Sequence, residues 1–299
     1  MRSGFVTIVG RPNVGKSTLL NTIVGTKVSI TSSRPNTTRF TVRGVLHRED
    51  AQAVFVDTPG LHRPRNALGG RLNDAAMASL RDVDVVIALL DATAPVGPGD
   101  RLVLERSVQA LGHPDSEGSL VVAVNKVDRA GRDAVLERLA QAAEAVEALG
   151  AGSPGVVEAV EYFPVSAATA DGVDALVATV IDRLPEGPAY VPPDMVTDLP
   201  EPVAVAELVR EQLLARAREE LPHSIACVVS EWEWPRIRCE ILVERESQKA
   251  IVIGTGGEVL KAVGTAVRSQ LPEGAYLELF VKVEPRWQQR DDALDRLGY

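Results

Sequence analysis

The stretch Gly10-Arg11-Pro12-Asn13-Val14-Gly15-Lys16-Ser17 limits what this chain can become more than any other segment does. It fits G-x-x-x-x-G-K-S/T, follows the β-branched run FVTIV (5–9) and leads into a helical pattern over 15–24. The pattern therefore demands a strand, a tight glycine-dependent loop and a helix in immediate succession. Such a loop aims successive backbone N–H groups and a helix N-terminus at one polyphosphate. Lys16 adds a point charge at the β- and γ-phosphates, and the Ser17 hydroxyl, with Thr18 behind it, is placed for Mg2+.

Downstream, further near-continuous apolar runs follow at AVFVD (53–57), DVVIALLD (84–91), SLVVAVN (119–125) and YFPVS (161–166). Between them 70–81, 100–111, 132–149 and 172–184 read as helices. Apolar strands alternating with helices predict an α/β domain over 1–184, its sheet covered on both faces. Six prolines then fall within eighteen residues (Pro185, Pro188, Pro192, Pro193, Pro200 and Pro202), so 185–203 is read as an extended linker. Over 204–221 a helix places Val205, Val209, Leu213 and Ala217 on one stripe. Two strands, 224–234 and 236–244, two helices broken by glycines within 247–271, and a last strand over 275–285 complete a smaller α+β domain, 204–299.

Asn125-Lys126-Val127-Asp128 follows the fourth apolar run. A carboxylate at Asp128 accepts from guanine N1–H and its exocyclic amine, whereas adenine would leave it unpaired at a cost of about 1–3 kcal/mol. Asn125 and Lys126 tie this loop to the first one, with the Lys126 stem packing on the base. Asp57-Thr58-Pro59-Gly60 closes the second run: Asp57 would hold Mg2+ through water, and the Gly60 N–H would reach the γ-phosphate ahead of Leu61. In Ser33-Arg34-Pro35-Asn36-Thr37-Thr38-Arg39 a threonine hydroxyl serves the metal, and Thr38 is favoured over Thr37. Ser166-Ala167 would offer a backbone N–H to the guanine carbonyl. The expected metal ligands are thus Ser17, Thr38 and Asp57.

These five segments, in this order, resemble the G1–G5 set of GTPases. GRPNVGKSTLLN, PNTTR, DTPGLHRPRNALGGRLN, the linker and the tail resemble the Era family of bacterial GTPases over nearly the whole chain. The resemblance implies a P-loop GTPase domain with a mostly parallel sheet, then a type II KH domain, and it implies GTP/GDP and Mg2+ as ligands. Where Ras-like enzymes orient water with a glutamine, this chain has Leu61, so slow intrinsic turnover is expected; His62 is read as a packing or solvated residue rather than a base. Asn13 matches the P-loop asparagine that helps hold K+ in related GTPases. With Lys16, Thr38 and Gly60, it completes the expected catalytic set.

Ile251-Val252-Ile253-Gly254-Thr255-Gly256-Gly257 resembles the I-I-G-x-x-G of a KH domain, whose loop approaches the backbone of about four unpaired nucleotides. Here the middle positions, Thr255 and Gly256, are not basic, so phosphate attraction falls to Lys249, Lys261 and Arg268. The resemblance implies the 3′ end of 16S ribosomal RNA and the 30S subunit as partners, with a role in subunit assembly. The rival reading is a GTP-dependent switch that docks protein or membrane partners without RNA.

Charge and composition narrow these readings. The chain's 299 residues carry a formal charge of −9, and 201–299 holds 13 Lys+Arg against 17 Asp+Glu, so RNA binding by bulk electrostatics is excluded and contacts must be local. Cys227 and Cys239 read as reduced thiols of a cytoplasmic protein, with no zinc pattern. The N-terminus lacks a secretory-signal layout, and no apolar run nears the ~20 residues of a membrane span. A monomer is expected. The resemblance adds weak peripheral association with the inner face of the cell membrane. The excess of acidic residues on the 204–221 helix disfavours that, and its apolar stripe is expected to face a core. Core or sheet packing is the expected role of Trp232, Trp234 and Trp287.

Overall fold

A computed structural model describes residues 1–32, 34, 37–61, 66–81, 83–112, 118–150, 159–216 and 224–299. It divides into two compact units. The first is Met1–Ser29, Thr38–Arg63 and Leu72–Asp198; the second is Ile30–Thr37, Pro64–Arg71 and Leu199–Tyr299.

In the first unit, strands β1 (Arg2–Gly10), β2 (Val42–Arg48), β3 (Ala51–Asp57), β4 (Val85–Asp91), β5 (Ser119–Asn125) and β6 (Glu161–Val165) form one sheet in the order β2-β3-β1-β4-β5-β6. All neighbours are parallel except β2 and β3. Helices α1 (Lys16–Val24), α2 (Ala67–Ala78), α3 (Pro98–Leu111), α4 (Arg132–Glu147) and α5 (Val173–Asp182) punctuate the strands, α2 starting within the second unit's Pro64–Arg71 segment. Val86, Ala88 and Leu90 of β4 and Leu120, Val122 and Val124 of β5 pack against Val103, Leu104, Val108, Ala142 and Val146 of the helices, which is why those strands are apolar throughout. The strand order reverses at β1, so the loop after β1 opens at the carboxyl edge where such sheets hold ligands.

The antiparallel β2 was not anticipated from the sequence. Arg43, Gly44 and Arg48 interrupt its apolar character, and it is a strand because β3 templates it over seven paired positions. The proline-rich segment is not a loose tether. Gln52 accepts from Tyr190 N (2.7 Å) and Val191 N (3.1 Å) and donates to Val191 O (2.9 Å). Val45 N donates to Val196 O (2.9 Å), and Gly44 bridges Thr197.

In the second unit, β7 (Ala226–Glu233), β8 (Arg236–Val243) and β9 (Tyr276–Val283) pair antiparallel and then parallel. Helix α6 (Glu201–Arg216) starts three residues earlier than its periodicity suggests, with Pro202 in the first turn where no helical N–H is lost. Residues 217–223 lie outside the described part. Helices α7 (Glu246–Ile253) and α8 (Glu258–Arg268) follow β8. Val205, Val209 and Leu213 of α6 join Val252, Val263, Val267, Ile237 and Ile241 in one core that also buries both cysteine thiols. The apolar stripe of α6 is therefore consumed inside the protein. Among the described residues no single helix is long and apolar enough to cross a membrane.

The C-terminal tail has a structural account that the sequence did not provide. Trp287 is fully buried and donates from Nε1 to Ser224 O (3.0 Å), while α9 (Asp291–Leu297) buries Ala293 and Leu294. Arg71 reaches Asp295 (2.6 Å), Asp291 (2.9 Å) and the Tyr299 carbonyl (2.8 Å). Trp232 packs against the core, but Trp234 stands half-exposed at the turn before Pro235, contrary to the expectation of packing.

Candidate functional site

Gly10 ends β1, and the loop then needs unusual backbone: Asn13 has φ +64° and Gly15 has φ +108°. At Gly15 a side chain is excluded twice, by that torsion and because a Cβ would lie 2.3 Å from Asn125 Nδ2. The turn through Arg11, Pro12, Asn13 and Val14 is braced by Arg11, whose Nε donates to Asp100 at 2.7 Å. Helix α1 begins at Lys16, whose buried Nζ donates to the Gly10 and Arg11 carbonyls at 3.3 and 3.2 Å. Burial lowers the Lys16 pKa, opposed by the Asp57 carboxylate.

Asp57 is fully buried at the end of β3. Its Oδ2 accepts from Ser17 Oγ (2.6 Å), Ser29 Oγ (2.9 Å) and Thr38 Oγ1 (3.3 Å), and Ser17 and Thr38 lie 2.8 Å apart. Thr37 turns away, donating to Arg34 O at 2.7 Å. Oδ1 of Asp57 is buried without a hydrogen-bond partner. A carboxylate with a free lone-pair face beside two hydroxyls suits a hard divalent cation that takes its other ligands from phosphate and water. Among the described residues no group of three or more His, Cys, Asp or Glu side chains is placed to hold a metal ion. Burial raises the Asp57 pKa, and Lys16 with the three hydroxyls offsets this only in part. Thr58 donates from Oγ1 to Ile8 O (3.3 Å). Gly60 approaches Pro12 closely enough that a Cβ would meet its nitrogen at 2.7 Å. Leu61 is buried, its N–H on Gly10 O at 3.3 Å. Thr18 lies in the first turn of α1; His62, Ser33, Pro35 and Asn36 lie outside the described residues.

The loop after β5 sits beside the loop after β1. Asn125 donates from Nδ2 to Val14 O (2.8 Å), and Lys126, at φ +70°, donates from Nζ to Asn13 O (2.8 Å) and to Asp91 Oδ2 (2.6 Å). Val127 and Asp128 lie in a single 3-10 turn, where Asp128 Oδ1 accepts from Ser166 Oγ at 2.7 Å. The Ser166 N–H donates to Asp171 O (2.8 Å) and the Ala167 N–H to Asn125 Oδ1 (2.9 Å), bonds that fix this turn beside the loop after β5. The sequence reading missed Ser29, Asp91 and Asp100. Asp91 pairs with Asn125 in the β4–β5 register, a signal that appears only once strand order is known. Burial works against the Asp91 charge, but the Lys126 and Thr93 hydrogen bonds outweigh it and hold its pKa low.

In the second unit, Ile253 ends α7 and the turn Thr255–Gly257 leads into α8, with φ positive at Gly254, Gly256 and Gly257. Lys261 and Arg268 are exposed on α8 and Lys249 is half-buried on α7; the acidic Glu258 sits next to the turn.

Residues 5–126 match the family model described as a 50S ribosome-binding GTPase, and residues 220–288 match the KH domain model. The chain is 46% identical to GTPase Era of Mycolicibacterium paratuberculosis over 310 aligned positions, covering all of this chain and 99% of that protein. It is also 46% identical to GTPase Era of Mycobacterium tuberculosis, covering 99% and 98%. Among solved structures, Era in complex with MgGDPNP and nucleotides 1506–1542 of 16S ribosomal RNA superposes with a TM-score of 0.89 at 38% identity, covering 100% of this chain and 99% of that one. An Aquifex aeolicus Era variant bound to GDP and AlF4− gives 0.88, also at 38% identity and the same coverage. With a phosphate loop, a base-recognition loop and a KH domain in one chain, and full-length identity at this level, the protein belongs to the GTPase Era family.

Proposed function

We propose that this GTPase binds 16S ribosomal RNA near its 3′ end and assists assembly of the 30S subunit, its nucleotide state governing when RNA is held. The observation that carries the nucleotide half is the buried cluster of Asp57, Ser17 and Thr38 beside Lys16, built around an unpartnered carboxylate oxygen. Ser17, Thr38 and Asp57 would hold Mg2+, which supplies charge neutralisation across the β- and γ-phosphates. Lys16 exchanges its two carbonyl partners for phosphate oxygens, and Asp128, oriented by Ser166, reads the guanine edge. The Gly60 N–H meets the γ-phosphate only in the triphosphate state, so hydrolysis frees the following loop.

Leu61 is apolar and buried and cannot orient a water, so positioning by Lys16, Thr38, Gly60 and Asn13 carries catalysis and intrinsic turnover is slow. K+ held at Asn13 would add the positive charge that other GTPases take from an arginine; equal turnover in Na+ and K+ would remove that part of the reading. For the RNA half, the GTGG turn leaves backbone N–H groups near the N-terminus of α8, where a phosphate is favoured, and Lys249, Lys261 and Arg268 add local charge. The complex of the Era relative with 16S RNA supports the same target. The test is titration of a short 16S 3′-end RNA at low salt, with GDPNP or GDP bound. Tighter binding with GDPNP is expected. No binding in either state would overturn the RNA half in favour of a switch that docks protein or membrane partners.

A further inference from the structure

Asn13 and Lys126 are two of the four non-glycine residues with a positive φ among the described residues, at +64° and +70°. Such backbone is costly for a residue with a Cβ, and it persists only where neighbours impose it. One ammonium joins the two positions. Lys126 Nζ donates to Asn13 O at 2.8 Å and to Asp91 Oδ2 at 2.6 Å. Asp91 is itself held: its Oδ1 accepts from the Thr93 N–H (2.9 Å) and the Thr93 hydroxyl (2.6 Å), while the Ala92 N–H donates to Asn125 O at 2.8 Å. The carboxylate oxygen that meets Lys126 therefore stands at a fixed place at the end of β4.

The sheet does not need this pair, because β4 and β5 already match over seven register positions, from Val85 with Ser119 to Asp91 with Asn125. Nor is it a loose surface contact: only 15% of the Asp91 side chain and 23% of the Lys126 side chain are exposed. A lysine has a flexible stem and a strongly hydrated head, so it makes a poor wall for a flat ring unless both its ends are fixed. Here the backbone fixes one end and Asp91 the other. We propose that Asp91 is a positioning residue for guanine nucleotides: by keeping the Lys126 ammonium on the Asn13 carbonyl, it sets the Lys126 stem as a wall of the base pocket. The base is the same in GDP and GTP, so the consequence falls on affinity for both and not on the chemical step. The proposal rests on reading Asn125–Asp128 as the guanine site and adds to it a residue 35 positions upstream of Lys126.

Asp91→Asn keeps the shape and an acceptor for Thr93 but removes the charge that draws Lys126. By calorimetry at saturating Mg2+, GDP and GDPNP affinity are expected to fall by the same factor, about tenfold, while KM rises and kcat at saturating GTP stays within about twofold. Lys126→Ala removes stem and ammonium together and should cost at least as much. The double variant should be no worse than Lys126→Ala alone, since Asp91 acts only through that side chain. Unchanged GDP affinity in Asp91→Asn, a loss confined to GDPNP or to kcat, or losses that add in the double variant overturn the proposal and leave the guanine reading standing. An Asp128→Asn variant that keeps its preference for GTP over xanthosine triphosphate overturns the guanine reading, and this proposal with it. If Asp91→Asn does not fold, Lys126→Met decides. Its stem remains but nothing anchors it, so the same loss of about tenfold is expected for both nucleotides, and wild-type affinity overturns the proposal.

Discussion

Asp57 illustrates how one buried carboxylate links pH, metal and stability. Burial raises its pKa, so between the ordinary carboxylate value and the raised one the folded chain keeps a proton that the unfolded chain has released. The Asp57 contribution to stability therefore falls as pH rises through that window. Asp57→Asn should flatten this slope in denaturant melts run from acid to neutral pH, and should abolish the Mg2+-dependent rise in Tm with GDP. Metal binding needs the ionised form, so Mg2+-dependent nucleotide affinity should climb with pH through the same window. Lys16 has the opposite sign: burial lowers its pKa, and its contribution to stability rises with pH between the lowered and the ordinary value. At Asp128, replacement by Asn exchanges an acceptor for a donor. GTP affinity should fall about ten- to a hundredfold and xanthosine triphosphate should become the better ligand in calorimetry. Asp57, Lys16 and Asp128 were legible because each sits in a short motif with a fixed chemical task. Ser29 and Asp91 were not, since each acts through a fold-dependent neighbour: the Asp57 carboxylate and the Asn125 register partner.

Among the elements, the buried strands were readable because both faces of a parallel sheet are covered, which leaves an uninterrupted apolar run. β2 was invisible for the converse reason: its hydrogen bonds come from β3 and its sequence carries arginines at 43 and 48. The Asn125 and Asp171 partners of the Ser166-Ala167 turn were not readable, because they depend on which loops the fold brings side by side. The α7–α8 connection was placed correctly at its glycines, and its chemistry yields a prediction. Thr255 is exposed and uncharged in a turn read as meeting phosphate. Thr255→Lys should tighten RNA binding severalfold and steepen the salt dependence by about 0.7 in log–log slope, one further phosphate contact on a single strand. An unchanged slope in fluorescence titrations would remove the turn from the RNA interface.

At the scale of the whole molecule, each of the two compact units has an apolar core of its own, which predicts two cooperative unfolding units. Urea unfolding should show two transitions, and Mg2+ with GDP at a hundredfold excess over its Kd should raise the first by about 2.7 kcal/mol while leaving the second in place. A single transition moved bodily by GDP would contradict that independence. The prolines of 185–203 were read as an extended linker, and that reading did not foresee that 190–197 would lie along the first sheet. That placement matters for the protein's behaviour in a crowded solution. An outermost strand with bare amides is a template for any passing extended chain, and stacked copies of such templates grow into fibrils. Here the Val45 amide is already answered by the chain's own Val196, while Pro192, Pro193 and Pro200 flank the strip and lack the N–H needed to extend the ladder. The same prolines that announced a break between domains thus act as an end-stop along the β2 edge of the sheet.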